Sequence, residues 1–274
     1  MRNLPTFHIV QILTNAIRVN LKLTIDLRYY TLEVKDLDIF DSISLDEMNS
    51  VSLMKRKDTK FLLHKDTLNS VLNTIKSDYK ILQVANDRLM TYNSIYFDTD
   101  SDYFYHMHHN GISHRIKVRI RNYVESDLCF LEVKQKDSQG NTVKNRIKVD
   151  TLSSTLDNEA NEFIAKTTSQ NIDLKKSIEN KFNRFTLVHT EIKERVTVDI
   201  NLSYNGTIFN KDLVIIELKQ PRLNRQSPVF QALKKRSTNP YSISKYCIGM
   251  AQTNPELKQN IFKPKFLKIN KLTA

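Results

Sequence analysis

The sequence predicts an α+β protein built on one antiparallel sheet, with flanking helices and a charged face that lines a hollow. Three observations predict it. At least five segments alternate charged and apolar residues with a period of two, the spacing that places i, i+2 and i+4 on one face of a strand. Other segments repeat apolar residues at i, i+3, i+4 and i+7, the pattern of a helix with one buried side. The 274 residues include only four Gly and six Pro at 40% apolar content, which suits a single large domain better than repeats or linkers.

The formal net charge of +12 implies polyanionic partners in general: nucleic acid, anionic lipid, nucleotides or inorganic phosphate chains. Cys129 and Cys247 stand far apart, outside any CxxC or Cys/His cluster, which argues against a zinc site and a disulfide framework and fits a reducing cytoplasm. An apolar stretch from His8 to Ile25 is interrupted by Arg18 and Lys22, so it matches neither a signal peptide nor a membrane span. Residues 1–39 are expected to be a peripheral extension, 40–252 the domain, and 253–274 a basic tail.

Taken in order, Ser44-Leu45-Asp46-Glu47 has the form of a capping box and opens a short helix. Met54 to Leu63 reads as a strand with Arg56, Asp58 and Lys60 on one face. Asp66 caps an expected helix over 67–78, carried by Leu68, Val71, Leu72 and Ile75 and expected as a lid or plug on the sheet. Ile81–Val84 and Met90–Phe97 read as strands. The His-rich stretch Asp102 to His109 reads as a surface or helical connector rather than a metal site, since His106 and His108 share a face only on a strand.

Arg115 to Arg121 alternates most regularly, with Arg115, Lys117, Arg119 and Arg121 in one row and Ile116, Val118 and Ile120 behind it. Leu128–Lys136 pairs with it as a hairpin, with Phe130, Glu132, Lys134 and Lys136 on one face. Lys144, Arg146 and Lys148 then alternate with Val143, Ile147 and Val149. Asp157–Ile172 and Leu174–Phe182 read as helices. Ile192–Leu202 reads as a strand bearing Lys193, Arg195 and Asp199, and Leu213–Lys219 as a central strand bearing Glu217 and Lys219. Ser227 caps a helix over Pro228–Lys235, Ser244 to Met250 forms a short helix closed by Gly249, and the chain beyond Pro255 is expected to be a solvated end, with contact to a membrane surface or a partner as the alternative.

In a closed antiparallel sheet one face of these strands points inward. If helices cover the apolar face, the charged face lines a tunnel. An unpaired buried cation costs several kcal/mol, so about eight of them are tolerable only in a wet lumen that receives an anion. A condensed phosphate chain is narrow, flexible and heavily charged, and arginine forks suit its oxygens. Double-stranded nucleic acid would want its cations on an outer surface. Glu132 reads either as a salt-bridge partner or as a metal ligand. For Glu217 the metal role is favoured, since Mg²⁺ or Mn²⁺ binds through one or two carboxylates plus phosphate oxygens.

At this point the residues resemble a known family. Arg56-xxx-Lys60, Ser94-Ile95-Tyr96-Phe97-Asp98, Lys117-Val118-Arg119-Ile120-Arg121-Asn122-Tyr123, Phe130-Leu131-Glu132-Val133-Lys134, Ile216-Glu217-Leu218-Lys219 and Ser244-Lys245-Tyr246 come in the order of the VTC domain. This is the polyphosphate polymerase domain of the vacuolar transporter chaperone complex, with bacterial relatives, in the triphosphate tunnel metalloenzyme superfamily. The Glu-x-Glu-x-Lys signature of the adenylate cyclase and thiamine triphosphatase branch is missing, which favours the VTC branch.

The resemblance implies an eight-stranded antiparallel β-barrel tunnel that binds ATP or another nucleoside triphosphate with Mg²⁺ or Mn²⁺ and passes the γ-phosphoryl to inorganic polyphosphate. By motif, Lys60, Arg119, Arg121, Lys134, Arg195 and Lys245 would hold the reacting phosphates and Glu217 the metal, with Glu132 a second candidate. Arg56, Arg115, Lys117, Arg146, Lys148, Lys193 and Lys219 are the further substrate-binding candidates; whether Arg115 or Lys117 replaces an upstream basic residue of the family is open. The competing readings are a triphosphate or polyphosphate hydrolase and a non-catalytic binder of polyphosphate, nucleotide or, on its basic outside, RNA. The resemblance also leaves open a membrane-protein partner and a cytoplasmic position at the inner face of the membrane.

Overall fold

The computed structural model describes residues 37–50, 56–139 and 141–274. The expectations for residues 1–36, and for Met54 and Lys55, lie outside the described residues. Residues from Phe40 onward form a compact unit of their own, preceded by a 3-10 turn at Leu37–Ile39.

The first half of this unit runs β1 (Ser42–Ile43), α1 (Leu45–Ser50), β2 (Lys57–His64), α2 (Lys65–Ile75), β3 (Tyr79–Leu82), β4 (Met90–Asp98), α3 (Tyr103–His109), β5 (Arg115–Tyr123), β6 (Leu128–Lys136) and β7 (Thr142–Val149). The second half runs α4 (Asn158–Thr168), β8 (Lys175–His189), β9 (Arg195–Tyr204), β10 (Thr207–Ile208), β11 (Leu213–Gln220), α5 (Pro228–Lys235), α6 (Lys245–Thr253) and α7 (Lys263–Leu272). The helix starts are chemically defined. Ser44 and Glu47 form the expected box, with Ser44 N donating to Glu47 Oε2 at 2.8 Å and Glu47 N to Ser44 Oγ at 3.3 Å. Asp157, Ser227 and Ser244 each accept a hydrogen bond from a first-turn amide of α4, α5 and α6.

Eight strands follow the order β2-β11-β9-β8-β4-β5-β6-β7, and every neighbouring pair is antiparallel. The hydrogen-bonded path is open, with β2 and β7 at its ends, where a closed barrel was expected. The sheet nonetheless curls. Lys60 on β2 donates to Ile243 O at 3.1 Å, and Lys117 on β5 donates to the adjacent Ser244 Oγ at 2.9 Å. In a flat sheet those strands, five steps apart, would be about 24 Å from each other.

The apolar face of the curled sheet is convex and covered by helices. Val118, Ile120, Cys129, Leu131 and Val133 of β5 and β6 bury against Phe104 and Met107 of α3 and Ala160 and Ile164 of α4. Phe61 of β2 meets Phe230 of α5 edge to face at 5.6 Å, and α2 packs beside α5 through Leu68, Val71, Leu72 and Ile75. A fully buried side chain of this size contributes roughly 1.5–3 kcal/mol, so these helices hold the curvature as well as the core.

Four local expectations change. The segment 174–182 is not helical but the first half of β8, a 15-residue strand. The helix expected over 67–78 starts at Lys65, with His64 rather than Asp66 as its cap, and covers the convex face. The helix inside the concavity is α6, packed on Tyr96, Ile178, Phe182 and Tyr204. It continues past Gly249 to Thr253; the glycine is a packing residue rather than a stop, since a Cβ there would lie 2.6 Å from Tyr204 Cδ1 and 2.7 Å from Ile178 Cδ1, closer than real side chains approach. Finally, the chain beyond Pro255 is not a solvated end: Phe262 and Ile269 are buried in the α6 cluster, and Phe266 and Leu272 pack against it.

Candidate functional site

Strand register decides which side chains share the concave face. Across β2, β11 and β9, Lys60 stands opposite Glu217 and Glu217 opposite Thr197. One step along, Asp58, Lys219 and Arg195 align. From the other side of the curl, Tyr96, Arg119, Glu132 and Arg146 align across β4 to β7, and Lys117, Lys134 and Lys144 across β5 to β7. Like charges directly opposite one another destabilise a sheet, so three aligned lysines need a counter-charge from elsewhere.

The Arg119 rung is the most rigid part. Arg119 Nε and Nη2 both donate to Glu132 Oε2, at 2.8 and 2.5 Å, and Nη1 donates to Tyr96 Oη at 3.0 Å. Lys144 takes the other carboxylate oxygen. Burial raises the pKa of Glu132, but Arg119, Arg121 and Lys144 overcome it and hold the carboxyl well below its usual range. Three of the five guanidinium N–H groups of Arg119 are engaged, leaving two for a ligand. Tyr96 is fully buried, yet Arg119 and Arg121 outweigh that burial and bring its phenol down to about 8. Arg121 donates to Ser94 Oγ at 2.9 Å, with its guanidinium over the rings of Tyr92 at 5.3 Å and Phe182 at 5.4 Å.

A second ionic group anchors α6. Arg184 of β8 binds Asp199 of β9 with both ends of its fork, at 2.5 and 2.8 Å, and Lys245 at the start of α6 binds the same carboxylate. Burial pushes Asp199 up; Arg184 and Lys245 more than reverse it. Burial in turn lowers Lys245 to about 8, with Asp199 limiting the fall.

Lys134 differs from these. Among the described residues its ammonium has no hydrogen bond or ion pair. Burial, followed by the field of Arg119, lowers its pKa to about 6, with Glu217 pulling the other way. Altogether Lys60, Lys117, Arg119, Arg121, Lys134, Arg184, Lys219 and Lys245 share the concave face with three carboxylates, Glu132, Asp199 and Glu217. Basic groups outnumber acids on this face even with Lys134 largely neutral in the free protein, leaving a positive surplus for an anion to balance.

The structure therefore brings most of the expected site residues together. Arg115 lies half-buried at one end of the same row, while Arg56 and Arg195 stand near each other at the β2–β9 end, with Arg195 Nη2 donating to Met48 O at 3.3 Å. Arg146 and Lys148 are exposed on the edge strand β7, where Arg146 stacks over Phe130 at 4.5 Å. Lys193 is corrected: it lies exposed in the turn before β9, outside the strand that would have aimed it inward. Glu132 is a salt-bridge partner, since both carboxylate oxygens are taken by cations, so it does not fit a metal. Glu217 fits better. Burial raises its pKa, but Lys219, Lys60 and Arg184 hold it ionised; Lys219 binds only Oε2, at 2.9 Å. Among the described residues no three His, Cys, Asp or Glu gather as a ready-made metal cage.

Sequence reasoning missed Arg184, Asp199, Tyr96 and Ser94 as site residues. The signal for Arg184 was present as the alternation of Ile178, Asn180, Phe182, Arg184 and Thr186.

A family model for the VTC domain matches residues 55–254, well over half of the chain. No curated protein matches. Among solved structures, the chain is similar to a putative adenylyl cyclase from Hippeastrum described as having a dominant triphosphatase activity. That likeness has 13% identity and a TM-score of 0.47, and covers 73% of this chain and 96% of that one. A putative adenylate cyclase from Bacillus halodurans is similar at 14% identity, with coverages of 70% and 96% and a TM-score of 0.44. Another from Vibrio parahaemolyticus has 10% identity, coverages of 68% and 85% and a TM-score of 0.39.

Proposed function

Because the chain belongs to the VTC domain family, we propose that it is a metal-dependent phosphotransferase that moves the γ-phosphoryl of ATP onto a polyphosphate chain inside the basic hollow. The observation that carries this reading is the surplus of basic groups on the concave face, among them Lys134, whose amine has no hydrogen bond or ion pair among the described residues.

In the transfer, the bond from the γ-phosphorus to the β–γ bridging oxygen breaks and ADP leaves. A terminal oxygen of the chain forms the new P–O bond. The nucleophile is already an anion, so no general base is needed. The protein's part is to position two highly charged groups in line and offset their repulsion. Arg119 is fixed by Glu132 and Tyr96 before any ligand arrives, so its two remaining N–H groups are aimed without reorganisation. Arg121, Lys134, Lys60, Arg195 and Lys245 would hold further phosphate oxygens.

Glu217 would hold Mg²⁺ or Mn²⁺ together with phosphate oxygens, a donor set these ions accept. Bound there, the ion would neutralise charge on the β- and γ-phosphates. No helix among the described residues is long and apolar enough to cross a membrane. A cytoplasmic location, and a membrane-protein partner for the product, remain part of the proposal.

Incubation of the purified chain with ATP and Mn²⁺, followed by gel separation and polyphosphate staining, tests the reading. Polymerase activity gives long chains. A hydrolase in the same hollow gives free phosphate without chains and refutes the transfer, and a binder gives neither.

A further inference from the structure

The segment from Leu257 to Ala274 holds five lysines and no acidic side chain. Its helix, α7, has a well-defined inner side: Ile269 is buried in the α6 cluster, Phe266 and Leu272 pack against it, and Lys265 is tied to Ser242 O at 2.6 Å and lies over the Tyr241 ring. At about 100° per residue, Leu267 falls about 160° around the helix from Ile269, so it faces outward. It is 68% exposed, the most of any large hydrophobic residue among those described. Lys263 and Lys271 stand one turn before and one turn after it, with Lys268 beside it, and all three are exposed. Their ammonium groups have no hydrogen bond or ion pair among the described residues. Lys263 also opens the helix, where the dipole disfavours a cation, and no acid stands in the first turn to offset it. Folding gains nothing from this arrangement. In the 3-10 turn just before α7, Ile261 is 41% exposed.

A lone exposed leucine is ordinary; one framed by unpaired lysines on a helix pinned to the core presents a fixed amphipathic strip. We propose that the outer face of α7 docks on an anionic lipid surface. Leu267 enters the boundary between headgroups and acyl chains, while the stems of Lys263, Lys268 and Lys271 lie along it and their ammonium groups reach the lipid phosphates. With ten residues α7 is too short to span a bilayer, so it lies in the plane of the surface. Charge and shape favour lipid over the other polyanions. The core of a protein interface is depleted of lysine, whereas three lysines surround the one apolar group here. The strip offers neither arginine nor an aromatic ring to a nucleic acid, and an apolar residue at its centre gains nothing from a phosphodiester backbone. This docking is independent of what the hollow binds, and α7 lies outside the 55–254 match to the family.

Co-sedimentation of the full chain with vesicles of phosphatidylcholine alone, and of phosphatidylcholine and phosphatidylglycerol in equal parts, tests the docking. The expected result is binding to the anionic vesicles only, weakened by salt. Leu267→Ser should lower the partition coefficient about tenfold, and Lys263→Gln and Lys271→Gln about fivefold each. Lys166→Gln, at an exposed lysine on α4, controls for the loss of one charge and should leave it within twofold. All four positions are exposed, so the melting temperatures should not move. Because the chain contains no tryptophan, Leu267→Trp supplies a single reporter: its emission should shift to the blue with anionic vesicles and be quenched by brominated acyl chains. Failure of the wild type to sediment with anionic vesicles overturns the docking, and so does equal partitioning of wild type and Leu267→Ser. Release from the vesicles by tripolyphosphate would place the lipid headgroups in the hollow instead of on α7, and also overturns it. A single-stranded oligonucleotide that binds the wild type, loses affinity in Lys263→Gln and displaces the vesicles would assign the strip to nucleic acid.

Discussion

Lys134 makes the sharpest prediction, because its amine has no hydrogen bond or ion pair among the described residues and burial holds its pKa at about 6. An unfolded lysine titrates near 10.4, so between about pH 6 and pH 10 the unfolded chain binds one more proton at this position than the folded one. Stability should therefore rise with pH across that window, by up to about 1.4 kcal/mol per unit. A bound phosphate reverses the balance by favouring the charged form. At pH 8 about 1% of free protein carries the Lys134 proton, so binding tripolyphosphate should take up about one proton there. Lys245, at about 8, adds roughly half a proton. Titrating tripolyphosphate at pH 8 in two buffers of different ionisation heat measures the uptake: about 1.5 protons for the wild type and about 0.5 for Lys134→Met. Equal uptake by both proteins would refute the placement of Lys134 in the anion site.

Three further outcomes follow from the same geometry. Glu132→Gln keeps the shape but leaves Arg119 and Lys144 without their buried carboxylate, which costs about 3–5 kcal/mol; calorimetry should show the melting temperature falling by roughly 6–20 °C, and tripolyphosphate should restore more stability in the variant than in the wild type. Gly249→Ala forces a methyl against Tyr204 and Ile178; it should cost about 1–3 kcal/mol in chemical denaturation and weaken ligand binding as well, since Lys245 moves with α6. Glu217→Gln should abolish Mn²⁺-dependent turnover of ATP and, by leaving the buried Lys219 without its carboxylate, also lower the melting temperature; full turnover in a folded variant would remove Glu217 from the metal's donors.

How much was legible follows from where the site lies on each strand. In β5 the cations face the hollow and the β-branched residues face α3 and α4, so the period of two is unbroken and both faces could be read. In β8 the inward face is itself mixed: Asn180 and Arg184 interrupt Ile178 and Phe182. The apolar positions Leu174, Ile178 and Phe182 then fall at i, i+4 and i+8, a spacing that a helix also shows, and that is why Leu174–Phe182 read as one and Arg184 escaped notice. Site chemistry erased the pattern that would have revealed the strand. The plug position of α6 was illegible for another reason. Tyr246, Ile248 and Met250 mark an apolar helix, but only the curl of the sheet decides whether such a helix lies inside or outside. Glu132 shows the limit for single residues: an acid among cations reads the same in sequence whether it holds a metal or two bases.

The central claim is that condensed phosphate sits within the concavity. A crystal structure of the chain with tripolyphosphate and Mn²⁺ tests it most directly. The account predicts phosphate density bounded by Arg119, Arg121 and Lys134 on one wall and by Lys60 and Lys245 on the other, with an anomalous Mn²⁺ peak beside Glu217. Phosphate bound only on the outer surface, with the concave cations still paired as they are in the free protein, would contradict it.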